Sequence, residues 1–162
     1  QANPFFMLFS RRTSSPGFTL IEILLAIGIL AILATAAIIA INPARQFAQA
    51  RNTQRWNDVH AIMNAVYQYA VANKGLLPPE IPLAGEALAE VCVQDAISCA
   101  TMVGVPSLTD NARYLTAFPT DPACPDACTA YGTGYAFTTT VDGRVHVVAM
   151  QAELGETIEL VR

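Results

Sequence analysis

Charge is scarce in this chain, and positive charge scarcer still. Asp, Glu, Lys and Arg make up 14% of 162 residues against 53% hydrophobic, which excludes the polar composition of disordered chains. Nine Lys and Arg face 13 Asp and Glu, and with Arg11 and Arg12 set aside the balance is 7 against 13, a net charge of −6. No basic surface for nucleic acid is indicated. Histidine occurs twice and tryptophan once. His60 lies between Val59 and Ala61, His146 lies in a later apolar stretch, and no spacing brings either to a particular serine or cysteine. No catalytic constellation is present, and an enzyme is not expected. Trp56, Tyr67 and Tyr69 read as packing residues rather than a ligand box.

What the chain does have is one long apolar run. Phe18 to Ile41 is 24 residues with a single charge, Glu22, and at about 1.5 Å per residue it is long enough to cross a hydrocarbon core of about 30 Å. Mean hydropathy of +0.38 agrees with membrane contact. The carboxylate is the anomaly, since a charge at the centre of a spanning helix costs about 2.5–3.5 kcal/mol. A cleaved secretory signal is the rival reading, with Arg11 and Arg12 as its basic start and Ala34-Thr35-Ala36 as its cleavage pattern. The run exceeds the usual apolar region of about 7–15 residues, and Glu22 lies inside it. Met7 reads as the initiator, which would place residues 1–6 upstream of the true start.

Past Ile41, Asn42-Pro43 predicts a kink or local unwinding, with helix resuming at Pro43. From Trp56, apolar residues recur at Val59, Ile62, Met63, Val66, Tyr69 and Ala70, the spacing of one buried stripe, with Arg55, Asn57, Asp58, Asn64 and Gln68 on the opposite face. Asn73-Lys74-Gly75 and Pro78-Pro79 end that helix. Residues 75–162 form a small head. Short helices are expected over Glu86–Ala96 and over Ser107–Leu115, the latter capped by Ser107. Tyr135–Val141, the Asp142-Gly143 turn and Arg144–Met150 read as a hairpin, and Thr157–Val161 as a third antiparallel strand after Gly155. The fold class is therefore α+β, a long N-terminal helix packed on an antiparallel sheet of about three strands. Residues 1–17, 18–41, 42–74 and 75–162 are its leader, apolar helix, amphipathic helix and head.

Gly17 followed by Phe18-Thr19-Leu20-Ile21-Glu22 and an apolar run closely resembles the prepilin signature of type IV pilins and type II secretion pseudopilins. The strong match covers residues 12–45; the long helix, Tyr114–Pro122 and the hairpin match more loosely. The resemblance implies cleavage by prepilin peptidase between Gly17 and Phe18, N-methylation of Phe18, and pairing of Glu22 with the N-terminal amine of a neighbouring subunit. A buried pair of that kind interacts far more strongly than in water and favours correct register. A simpler role for Glu22 is an interfacial acid favoured by the helix macrodipole, which leaves Gly17 unexplained. The implied partners are copies of the chain itself as a homo-polymer, prepilin peptidase, an inner-membrane assembly platform and minor pilins.

Arg45, Arg51 and Arg55 after the span outnumber Arg11 and Arg12 before it, so positive charge alone would place the head in the cytoplasm. The leader resemblance and the four head cysteines argue for the opposite topology: single pass in the inner membrane, head extracytoplasmic, then a periplasmic or extracellular filament. Cys92, Cys99, Cys124 and Cys128 allow three connectivities. Local pairing is favoured because short loops lose little entropy on closing, and a four-cysteine zinc site is disfavoured by the spacing. The resemblance also raises calcium, which major pseudopilins often bind in a head loop. Asp121 and Asp126 are the weak candidates, although Cys124–Cys128 departs from that loop, and solvated acids are the simpler expectation. No other cofactor is expected. Two functions follow: a filament subunit, or a signal-anchored extracytoplasmic binding module that never polymerises. The sequence does not select among an adhesion or motility pilus, a DNA-uptake pilus and a secretion pseudopilus.

Overall fold

The computed structural model describes residues 17–93, 99, 101–124 and 126–162. The leader before Gly17, and the end of the helix expected over Glu86–Ala96, lie outside them. The chain divides into two compact units, the first ending at Asn42 and the second running Pro43–Arg162.

The described part of the first unit is one helix, α1 (Leu20–Ile41). Thr19 caps it: in an extended conformation, its Oγ1 accepts the Glu22 amide at 3.3 Å, satisfying one of the donors that a helix start leaves free. The helix stops at Asn42, whose φ of 47° and ψ of 79° are left-handed, and Pro43, which needs no amide partner, opens α2 (Pro43–Ala72).

In the second unit α2 lies over a sheet. Its expected stripe is buried, with Val59, Ile62, Met63 and Val66 fully so. They join Tyr135, Phe137, Val145, Val147 and Ile158 in one core. Asn73 follows the last turn, Lys74 and Gly75 take positive φ, and the Gly75 amide returns to the Ala70 carbonyl at 2.8 Å.

The sheet is an antiparallel meander of four strands in chain order, β1 (Ala89–Cys92), β2 (Gly132–Thr139), β3 (Val145–Ala149) and β4 (Ile158–Val161). The predicted hairpin is β2–β3, with Phe137 opposite Val147. Gly143, at φ +76°, supplies the turn that an L-residue side chain would strain. Val145, Val147 and Ala149 face the core in alternation. The predicted third strand is β4.

Two helix expectations are corrected. Ala89–Cys92, inside the segment expected to be helical, is strand β1, with Ala89 opposite Phe137 and Cys92 opposite Gly132. Ala, Leu and Glu give the segment helix propensity, but β2 requires a partner along its free edge, and pairing there buries Val91 and Cys92. The outer edge of β1 is covered in turn, because the Cys92 amide donates to the Val103 carbonyl and the Val103 amide to the Glu90 carbonyl, both at 2.9 Å. The second segment reduces to one turn, α3 (Pro106–Thr109), followed by a 3₁₀ turn at Asp110–Ala112. Its cap is Val105, without a side-chain bond, and Ser107 instead donates to Glu80. Asn111 and Ala112, both at φ 52°, prevent a longer helix.

Candidate functional site

The N-terminal site is built on the first turn of α1. Phe18 is 78% exposed, and Leu20, Ile21, Ile23 and Leu24 are exposed beside it. From Leu20 to Ile39 the helix has a mean hydropathy of 2.6 and buries none of its side chains among the described residues; it is long and apolar enough to cross a membrane. An apolar surface of this extent requires lipid or protein as cover. Glu22 is the acid of the first turn, held near the helix start by the Thr19 cap, where the macrodipole favours negative charge. Gly17 has no packing role among the described residues: an added Cβ would meet nothing within 4 Å, and its φ lies outside the left-handed region. Neither space nor conformation calls for glycine at that position.

The head contains a second constellation, which residue polarity alone assigns wrongly. Arg55, expected on the polar face of α2, is 0% exposed. Its Nε and Nη2 donate to the two carboxylate oxygens of Asp121 at 2.6 and 2.9 Å, and Asp121 is itself only 2% exposed. Nη1 reaches Asn52 Oδ1 at 2.8 Å and Glu153 Oε2 at 3.0 Å. Arg51 holds both carboxylate oxygens of Glu153, Nη2 donating to Oε1 at 2.7 Å and Nε to Oε2 at 2.8 Å. Asn52 closes the network, its Nδ2 donating to the Glu153 carbonyl at 2.9 Å and its Oδ1 accepting the Glu153 amide at 3.0 Å. A buried guanidinium is tolerable only with such partners. The Arg51 hydrogen bond, followed by that of Arg55, holds the Glu153 carboxyl down at about 2, and the Asp121 hydrogen bond raises Arg55 above its ordinary range. Farther along α2, the Tyr135 hydroxyl donates to Asp58 at 2.7 Å. Burial raises both groups, and the shared hydrogen bond raises Tyr135 further. The signal for Arg55 was its position: Asn52, Arg55, Val59 and Ile62 extend the buried stripe backward at helical spacing.

Disulfides join Cys92 to Cys99 and Cys124 to Cys128, with Cα atoms 5.6 and 5.2 Å apart. The second begins three residues beyond Asp121, in the same loop. That loop lies on β2 at Gly134, where an added Cβ would come 2.7 Å from Asp121 Cβ, and φ is +79°. Glycine lets the loop approach closely enough for Asp121 to reach Arg55. Both Asp121 oxygens therefore face Arg55, one of them also accepting the Ala123 amide at 2.8 Å, while Asp126 is exposed. Among the described residues no group of three or more His, Cys, Asp and Glu could hold a metal ion. The histidines are far apart in role: His60 stacks near Trp56 at 6.1 Å, and His146 meets Glu159 at 2.9 Å.

A family model described as the prokaryotic N-terminal methylation motif matches residues 12–38. No curated protein and no solved structure matches the chain. The match spans the Gly17–Phe18 junction, Glu22 and most of α1: the chain carries the prepilin motif of type IV pilins and pseudopilins.

Proposed function

We propose that this chain is a structural subunit of a type IV pilus-like or type II secretion pseudopilus filament. Prepilin peptidase cleaves it after Gly17, Phe18 is N-methylated, and α1 holds the subunit in the inner membrane until assembly. In the filament α1 packs against its copies, and Glu22 faces the N-terminal amine of a neighbour. The observation that carries this reading is the coincidence of the methylation motif at 12–38 with a helix whose apolar surface has no cover among the described residues. The head is extracytoplasmic, a placement supported by its two disulfides.

The first-turn position of Glu22 favours a second role for it, as an acid that merely stabilises the helix start. In that case the chain is a signal-anchored module that does not polymerise. Two measurements test the proposal together. Intact mass of the membrane-extracted protein should begin at Phe18 with one added methyl group, and shearing of cells should release filaments containing the chain. A mature protein beginning near Ala37 would mean secretory cleavage, and correct processing without filaments in cells holding the assembly machinery would favour the anchored module.

A further inference from the structure

The Arg55 network does more than bury charge, because Glu153 begins a turn. The Glu156 amide donates to the Glu153 carbonyl at 3.1 Å, with Leu154 and Gly155 between them at φ 59° and 73°. A leucine in the left-handed region is unusual, and this one is 48% exposed at the tip of the turn, beside the exposed Glu156. Arg51, Asn52 and Arg55 fix the base of the turn through both backbone and side chain of Glu153. The result is a rigid projection bearing one apolar group and one acid.

Near the other end of α2 the same head has a groove of about 520 Å³, lined by Asn64, Tyr67, Gln68, Val71, Arg113 and Tyr114 among others. Its floor is apolar, and Val71 is 84% exposed. Arg113 lies over the Tyr114 ring at 5.4 Å and Arg162 over the Tyr67 ring at 5.6 Å. Neither arginine pairs with a carboxylate among the described residues, and no acid is among the lining residues. The Tyr114 hydroxyl is buried there without a hydrogen-bond partner. In a chain of net charge −4 this is a local cationic, aromatic site.

We propose that the Leu154–Glu156 turn of one copy docks in the Tyr67–Arg113–Tyr114 groove of the next, Leu154 against Val71 and the tyrosine faces, Glu156 toward Arg113. Projection and groove are different surfaces of one molecule, so the contact is heterologous. A heterologous contact whose rotation does not close generates an open filament. Charge complementarity selects this occupant, and a preformed turn loses little freedom on docking. The contact rests on the filament reading above and adds which head surfaces meet.

The test is cross-linking in the full-length chain, in cells that assemble it. Leu154→Cys and Val71→Cys introduced together should give a reducible ladder of oligomers in sheared filaments, and either alone should not. Closure within one copy is excluded, since Arg55 and Gln68, which mark the two levels, are about 20 Å apart along α2 and a disulfide needs Cα atoms within about 7 Å. Arg113→Glu, a surface change, should lower filament yield about tenfold or more by setting two acids together, and adding Glu156→Arg should restore it. Normal filaments without a ladder would overturn the docking and leave the filament reading standing. Absence of filaments from the unaltered chain would overturn both. A single-stranded oligonucleotide held by the unaltered chain and not by Arg113→Glu, with no ladder, would assign the groove to a polyanion and overturn the proposal.

Discussion

The two long helices of this chain, α1 and α2, differ in where their cover lies. Among the described residues nothing buries α1 from Leu20 to Ile39, and it holds one charge among exposed apolar side chains. α2 buries Val59, Ile62, Met63 and Val66 in its own head and encloses a charged side chain, Arg55, with its counter-ions. Both contain a charge that hydropathy alone would place in water. For Arg55 the partner is 66 residues along the same chain; for the Glu22 carboxylate none lies among the described residues, and the proposed one belongs to a neighbour. Changes to the partners of α2 should therefore register as loss of head stability, and changes to α1 as loss of assembly.

The largest effect on the head is expected from Arg55→Ala. It strands Asp121 without a counter-charge and should destabilise the head by about 3–5 kcal/mol, measurable by denaturant unfolding in detergent. A head that unfolds at the unaltered midpoint would remove the contrast between the helices. Next come the disulfides. Each closes a short loop, of 7 and 4 residues separation, and by loop entropy each should contribute roughly 2 kcal/mol. Reduction should lower the midpoint accordingly, and thiol titration of the unfolded, unreduced chain should find none free. Four reactive thiols would contradict both the pairing and the proposed compartment.

Acid should act more weakly. The Glu153 carboxyl is lowered from 4.5 to about 2 in the folded state, so its contribution is complete above about pH 4.5 and is lost as pH falls from there toward 2. Asp58 works in the other direction: burial raises its carboxyl, so protonation favours the folded form. Partial exposure of Glu153 screens its share. Glu153→Gln should flatten the acid limb of the stability curve while leaving the rest of it in place. An unchanged acid limb would mean that other carboxylates govern it.

Much of this architecture is legible in the residues. The stripe from Val59 to Ala70 and the hairpin around Asp142-Gly143 are periodic patterns with turn chemistry that agrees with them, and local and tertiary preferences coincide. They part at Ala89–Cys92, where helix-forming residues take a strand because β2 needs an edge partner. They part again at Arg55, whose burial depends on Asp121, Asn52 and Glu153 converging from three segments. No window of sequence contains that convergence, although the position of Arg55 on the extended stripe hinted at it. The Gly17–Glu22 junction is the reverse case. It is plain in sequence, and among the described residues nothing packs against Gly17, which agrees with the proposal that the partners of this junction are other molecules.

The smallest effect on the head, and the most direct test of the account, is Glu22→Gln. The Thr19 cap uses the amide of residue 22, not its carboxylate, and a neutral side chain enters a bilayer at least as easily as a charged one. Processing, membrane level and head unfolding should be unchanged. On the proposed pairing assembly should fail, because each neighbouring amine would lose its counter-charge, at about 3–5 kcal/mol per broken buried pair. Sheared filament yield at matched membrane levels is the measurement. A yield far below that of the unaltered chain is predicted; an equal yield would contradict the pairing role of Glu22 and leave it as an acid of the first helical turn.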